Sequence, residues 1–360
     1  MYLQKIQIRN FRCFDNFEAK IDKKITLIEG ENGCGKTSIL EALYYLCYLR
    51  SFKTRITKEL ISYNKDNFFL KIELSDNIIN REIQAGFSQA KRSIKVDKKN
   101  IKSYKELIDQ YKIIAVTEDD LSLIKSSPEK RRSFLDHYIL LLNPELMTIL
   151  KDYKHIVDSR NALLKRDKLD LDSYNIWTQQ LWDKGQKIRI ERINALDKLK
   201  NRVVKLYQDN FEQNILIDFV YNFKNGNLED KNFEEFQSRY ARILNQEKLF
   251  RKGLFGAHFD DFDILWNRNL AKNFSSRGQQ KLLVILMKIA QIQESLESSS
   301  DGHTTIFLLD DFMTDFDEEK LNILISIINS LNIQIIFTCP LKNSPIKEQL
   351  KMLGAEIVSI

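Results

Sequence analysis

The chain is poor in the residues that staple small folds. Its 360 residues hold four cysteines, Cys13, Cys34, Cys47 and Cys339, scattered with no C-x-x-C spacing. That scatter excludes a disulfide framework and a cysteine zinc site, and it suits a reducing cytosol. The four histidines are equally dispersed. No apolar run is long enough to span a bilayer. The first eleven residues alternate and carry Lys5 and Arg9 instead of an apolar core, so they do not read as a signal peptide. Strong charge of one sign is missing too. A net charge of +6 permits a nucleic-acid partner without establishing one. With 43% hydrophobic and 29% charged residues, what remains is an ordinary soluble globular protein of one large domain or two.

Against these absences stands one dense motif. Gly30, Glu31, Asn32, Gly33, Cys34, Gly35, Lys36 and Thr37 read G-x-x-x-x-G-K-[ST], the phosphate-binding loop. Ile25, Thr26, Leu27 and Ile28 form a short apolar run before it. After it, from Ser38 to Leu49, Ile39, Leu40, Leu43, Leu46 and Cys47 recur at helical spacing. The motif thus sits in a strand, loop and helix, the context its chemistry requires. Glycines let the backbone curl so that N–H groups converge on a phosphate, and the following helix adds the positive end of its dipole. Lys36 is expected to reach the β- and γ-phosphates and the Thr37 hydroxyl to sit on Mg²⁺. Ser38 completes this set at the helix start.

Around it the chain reads as follows. Residues 1–20 alternate as two strands joined by a turn. Arg50, Phe52, Lys53 and Arg55 either track a phosphate backbone or form a solvated helix end. Residues 66–98 read as an antiparallel meander. Lys91, Arg92, Lys95, Lys98, Lys99, Lys102 and Lys105 make a basic segment, either a solvated face or a nucleic-acid patch. Residues 113–116 form a buried strand, and Ser126, Ser127, Pro128 and Glu129 start a helix. From Pro128 to about Gln213 two long helical stretches flank a charged break at 164–172 and predict an antiparallel helical hairpin. Trp177, Leu181, Ile188 and Ile190 are assigned to its core. Residues 215–223 are strand-like and 233–250 helix-like. Ser276, Arg277, Gly278 and Gln279 open an amphipathic helix and form a second anion-binding helix start. Residues 305–309 are a buried strand ending in Asp310 and Asp311, the run-plus-acid of the Mg²⁺ site in P-loop NTPases. Asp315 and Asp317 follow, and 333–337 predict one more strand, ending at Thr338.

This order of motifs resembles the ABC-type ATPase head. Within that superfamily the chain resembles the RecF family over nearly its whole length. Further matches are residues 8–12, 50–54, 123–128, 131–136 and 256–261. The resemblance implies an α/β fold: an ABC-type P-loop ATPase head, with a mixed sheet plus an antiparallel meander, and an inserted α-helical hairpin domain. It places the head in 1–128 and 253–360 and the insertion, with a short return strand, in 129–252. It implies two heads dimerising around two ATP molecules. Lys36 and Thr37 would hold phosphate and Mg²⁺, Asp310 would support the metal, and Asp311 would take the catalytic acid position. Ser276 and Gly278, flanked by Arg277 and Gln279, would touch the partner's γ-phosphate. The implied partners are duplex DNA, gapped or single-stranded junctions, RecR and RecO, and indirectly RecA, with no membrane and a cytoplasmic location. The sequence departs from the pattern at Arg277, where transporters have glycine, and at Ser275. Glu118 replaces a proline, so no glutamine-loop residue is assigned. Ala257 and Phe259 flank His258 in place of Pro and Arg. No histidine follows the last strand, where Thr338 stands. Two other readings use the same motifs, an ATPase subunit of a transporter and a structural DNA-binding protein with a decayed ATP site. The hairpin after Pro128 and the intact loop argue against them.

Overall fold

The computed structural model describes residues 2–75, 80–88, 91–101, 107, 111–224, 232–298, 304–311, 316–340 and 345–360. Two compact units emerge, one of Met1–Leu121 with Gln291–Ile360 and one of Ser122–Ala290.

The first unit holds two sheets. β1 (Tyr2–Phe11), β2 (Phe14–Lys20), β4 (Asn67–Ser75), β5 (Asn80–Ser88), β6 (Lys91–Val96) and β7 (Lys99–Asn100) form an antiparallel sheet in the order β2-β1-β4-β5-β6-β7. Its strands alternate as a one-sided sheet requires: Phe68, Leu70, Ile72 and Leu74 of β4 are buried while their neighbours are less so. The second sheet runs β14 (Glu356–Ser359), β3 (Ile25–Gly30), β13 (Gln334–Pro340), β12 (Thr304–Leu309) and β8 (Tyr111–Val116). All its pairings are parallel, and β3, β8 and β12 are buried along their length, so they read as continuous apolar runs. Parallel and antiparallel pairings are thus segregated into two sheets instead of mixed in one. The buried Gln334 side chain joins them. Its Oε1 accepts from Leu3 N–H at 2.7 Å and its Nε2 donates to the Leu3 and Ile21 carbonyls at 3.0 Å.

Helix α1 (Lys36–Tyr48) follows β3 directly. Ile39, Leu40, Leu43 and Leu46 are at most 1% exposed, as their spacing predicts. Each contributes about 1.5–3 kcal/mol by burial, and Leu43→Ala would cost about 2–5 kcal/mol through the cavity left. The Tyr48 hydroxyl donates to Ile113 O at 2.6 Å and ties the end of α1 to β8.

The second unit is mostly helical: α2 (Pro128–Leu142), α3 (Leu146–Leu164), α4 (Leu171–Asn210) and α5 (Phe233–Phe250), with a three-stranded antiparallel sheet of β9 (Ile217–Asn222), β10 (Asp261–Trp266) and β11 (Asn269–Leu270). Pro128 at the first position starts α2, where its missing N–H costs nothing. α3 and α4 pair antiparallel: Asp152 meets Lys184 at 2.9 Å, while Arg160 lies against Thr178 at 3.0 Å. Leu181 and Ile188 enter the core with Tyr153, Ile156, Phe236 and Phe255, and Trp177 packs against it. Ile190 does not; it is 48% exposed. Two positions on a helix differ by about 200°, so Ile188 and Ile190 cannot share a face. α6 (Arg277–Ser298) carries the boundary between the units, and α7 (Glu318–Ser330) and α8 (Pro345–Met352) belong to the first.

Candidate nucleotide site

The nucleotide loop leaves β3 at Gly30 and enters α1 at Lys36. Gly35 has φ +109°, and a Cβ there would come within 2.6 Å of Cys13 Sγ and of the Phe14 ring. Both the backbone and the space therefore demand glycine. At Gly30 a Cβ would lie 2.4 Å from Cys34 Sγ and 2.8 Å from Ile360 O. Gly35 caps α1 without a side-chain acceptor, so the helix start keeps its positive end for a ligand. Lys36 is 4% exposed and its Nζ donates to the carbonyls of Gly30 and Glu31, both at 3.1 Å. An ammonium held over the loop by weak carbonyl acceptors is placed to transfer to phosphate oxygens. Cys34 N–H turns back onto Glu31 O at 3.3 Å.

β13 lies between β3 and β12, so three strand ends bring their residues together at one edge of a parallel sheet. That edge is where open α/β sheets bind ligands. Thr37 Oγ1 donates to Asp310 Oδ1 at 2.8 Å, and Lys36 Nζ is 3.9 Å from Asp311 Oδ2. Burial is the main cause that pushes the Asp310 carboxyl above the usual carboxylate range. The Thr37 bond opposes this, and neighbouring Asp311 adds to it. The partly buried acid therefore gains from a cation. An open cleft of about 640 Å³ covers the loop, lined by Asn32, Gly33, Gly35, Lys36, Thr37, Ser38 and Asp311. Arg12, Cys13, Lys53 and Glu59 also line it.

In the sequence none of these last residues is a nucleotide-site candidate, and Lys53 is read only as part of a cationic run that tracks a phosphate backbone or ends a helix. Arg12 donates through Nε and Nη2 to both oxygens of Glu41, at 2.8 and 2.7 Å, and Ser51 Oγ donates to the same carboxylate. Ser51 Oγ accepts from the N–H groups of Lys53 (2.8 Å) and Thr54 (3.1 Å). A buried Glu41 thus orders the wall carrying Lys53. Of the 50–55 run, Arg50 lies over the Tyr48 ring at 5.7 Å, as a helix-end cation does, and Lys53 faces the cleft. The matching stretches at 8–12 and 50–54 were the available signal, but nothing local joined them to the loop.

Ser276, Arg277, Gly278 and Gln279 lie in the second unit. Ser276 Oγ accepts from Gln279 N–H at 3.2 Å, and Gln279 Oε1 accepts from Ser276 N–H at 2.8 Å. This capping box rigidifies the start of α6. Ser276 and Arg277 are exposed, and a Cβ on Gly278 would meet nothing within 4 Å. The start of α6 is open to an incoming group.

The matching stretches 131–136 and 256–261 are tied to each other and to α4 by arginine forks. Arg131 pairs with Asp261 at 2.7 and 2.8 Å, Arg189 with Asp260 at 2.7 and 3.0 Å, and Arg192 with Asp136 at 2.7 and 2.9 Å. His258 Nδ1 bonds the Tyr153 hydroxyl at 2.9 Å, and burial, reinforced by nearby arginines, lowers its pKa to about 4. It is a neutral packing residue. In the basic segment, β6 and β7 join through Asp97 and Lys98, both with positive φ, and Lys91, Arg92, Lys98 and Lys99 are exposed. Lys102, Lys105 and Asp315 lie outside the described residues.

A family model described as the RecF/RecN/SMC N-terminal domain matches residues 2–358. The DNA replication and repair protein RecF of Clostridium acetobutylicum is 33% identical, covering 94% of this chain and 93% of its own length. That of Acholeplasma laidlawii is 31% identical, with the same coverage of both. Among solved structures, the recombination mediator protein RecF with ATP superposes with a TM-score of 0.84 at 25% identity, over 95% of this chain and 92% of that one. An SMC head bound to the C-terminal winged-helix domain of ScpA, at 14% identity and TM-score 0.54, shares the fold.

Proposed function

The chain belongs to the RecF family, and from that premise we propose that it is an ATP-dependent DNA-binding protein of recombinational repair and replication restart. It is an ATPase of the ABC head type and binds ATP. Two chains close around two ATP molecules on duplex DNA and help load RecA at gaps or single-stranded junctions, with RecR and RecO as mediators. Turnover is weak and rises with DNA. The protein works in the cytoplasm; among the described residues no helix is long and apolar enough to cross a membrane. The transporter reading gives way to the family membership.

One observation carries the nucleotide reading. Thr37 and Asp310 are 273 residues apart in sequence and share a 2.8 Å hydrogen bond beneath a glycine-bent loop. Loop N–H groups, from Gly30 to Ser38, would cradle the phosphates, and Lys36 would turn from the Gly30 and Glu31 carbonyls to phosphate oxygens. The donor set fits Mg²⁺: two hard oxygens, with no cluster of three metal-binding side chains among the described residues. Such a cation takes few protein ligands and keeps water and phosphate oxygens. Thr37 and Asp310 would hold it, and it would neutralise phosphate charge. Asp311, at the mouth of the cleft, would orient and deprotonate the attacking water. Ser276 and Gly278, with Arg277 and Gln279, would offer the open helix start to the γ-phosphate bound by a second chain. The exposed β6–β7 hairpin would add Lys98 and Lys99 to the DNA-facing charge.

Size-exclusion chromatography with ATP and Mg²⁺, with and without duplex DNA, tests this. The wild-type chain should elute as a dimer with ATP. Ser276→Arg should bind ATP yet stay monomeric, because bulk and charge occupy the facing surface. Normal dimerisation of that variant would rule out the shared site.

A further inference from the structure

The third strand end of the site carries Thr338, 4% exposed, at the end of β13. Its hydroxyl accepts from Asp311 N–H at 2.8 Å. Three acceptors surround the same oxygen: Asp310 Oδ1 at 3.1 Å, Asp311 Oδ1 at 3.1 Å and Leu309 O at 3.5 Å. A hydroxyl has one proton, so it serves one of them at a time. Asp310 Oδ1 has a second donor in Thr37. Asp311 also has φ +47°, the left-handed region that a non-glycine residue enters at a cost. The N–H bond to Thr338 holds that turn, and the turn carries the Asp311 side chain to the wall of the cleft.

We propose that Thr338 is the positioning residue for Asp311: its oxygen fixes the Asp311 backbone, and its single proton passes between the Asp310 and Asp311 carboxylates. With Thr37 and Asp310 unengaged, the proton is shared between the two acids. When Thr37 and Asp310 turn to a ligand, it goes to Asp311 and holds that carboxylate aimed. A β-branched residue suits this place, because it fits a central strand and has few rotamers. The proposal rests on the reading of Asp311 as the acid that activates water.

Thr338→Val keeps the shape and removes the hydroxyl. A fluorescent ATP analogue should bind it with little change in Kd. Its kcat should fall about 10- to 100-fold, the scale of one lost hydrogen bond to a charged group. Thr338→Ser should restore kcat, because it returns the hydroxyl to the same place. If the valine loosens β13, Thr338→Ala carries the same expectation, since it too lacks the hydroxyl. In an Asp311→Asn background, Thr338→Val should add no further loss. Wild-type kcat in Thr338→Val, or a loss confined to Kd, would overturn the proposal. Full activity in Asp311→Asn would instead remove the reading beneath it, whatever Thr338 does.

Discussion

Of the chain's three Asp-Asp pairs, Asp260 with Asp261 and Asp310 with Asp311 fall in stretches that match the family, and they have opposite surroundings. Asp260 is fully buried and accepts from two Arg189 nitrogens, the Tyr221 hydroxyl at 3.1 Å and Lys224 N–H at 3.0 Å. Asp261 takes both prongs of Arg131. Asp310 has hydroxyl donors, Thr37 and Thr338, and its carboxyl is pushed up by burial. The first pair is neutralised within the fold by guanidinium forks, so it serves structure. The second accepts from neutral hydroxyls, with the Lys36 ammonium 3.9 Å from Asp311, so it is arranged for a cation and a reaction. Identical dipeptides in two family-like motifs thus divide by the charge of their donors.

The strongest way to break this comparison is to remove a carboxylate from the structural pair. Asp260→Ala leaves Arg189 buried without its counter-ion and should cost about 3–5 kcal/mol in urea unfolding. Nucleotide affinity of the folded protein should persist. Loss of ATP turnover with stability intact would place that pair in the reaction instead.

In the other pair the same kind of change should spare stability and strike rate. Asp311→Asn should slow hydrolysis by about 10²-fold or more, the scale of a lost general base. ATP should still bind, through Lys36, Thr37 and Asp310, and the variant should collect as an ATP-bound dimer in size-exclusion runs. A monomer carrying ATP would contradict the shared-site arrangement.

A smaller effect sharpens the structural side. His258 has its pKa lowered from 6.5 to about 4. The unfolded chain therefore binds more protons between those values, so stability is full above about pH 6.5 and drains away as pH falls toward 4. His258→Gln should remove about 2 kcal/mol of that acid sensitivity, allowing for partial exposure. Thermal melts across pH 4–7 read it, and an unchanged slope would mean His258 is not the titrating group.

The smallest effect concerns DNA. Replacing Lys98 and Lys99 together by glutamine should reduce the slope of log affinity against log salt by about two for duplex DNA, near one for each phosphate no longer neutralised. An unchanged slope would leave the hairpin a solvated face.

Much of the first unit was legible in the sequence. β3, the glycine loop and α1 follow from local rules: a β-favouring run, forced turns and a 3.6-residue period. The apolar run before Asp310 is equally local. What was hidden depends on pairs far apart in the chain. The Arg12–Glu41–Ser51 clamp, the arginine forks on Asp260 and Asp261, and the donors around Thr338 leave no periodic trace, because a side chain's partner is set by topology. The Ile190 assignment failed for a local reason, since apolar residues two apart cannot share one helix face. His258 kept its motif position but took a packing role, since burial beside arginines strips it of charge.

The order β14-β3-β13-β12-β8 also has a meaning in time. The strand that carries the nucleotide loop is made early, yet its neighbours β13 and β14 arrive roughly 300 residues later. At about 5–20 residues per second, the ribosome leaves β3 without these neighbours for about 15–60 s. The antiparallel meander of β1, β2, β4, β5 and β6 can pair during that wait, because its strands are near in sequence. The sheet that shapes the nucleotide loop is therefore completed long after the loop itself is made, and a nascent chain stalled before β13 would carry the whole loop motif without the strand beside β3.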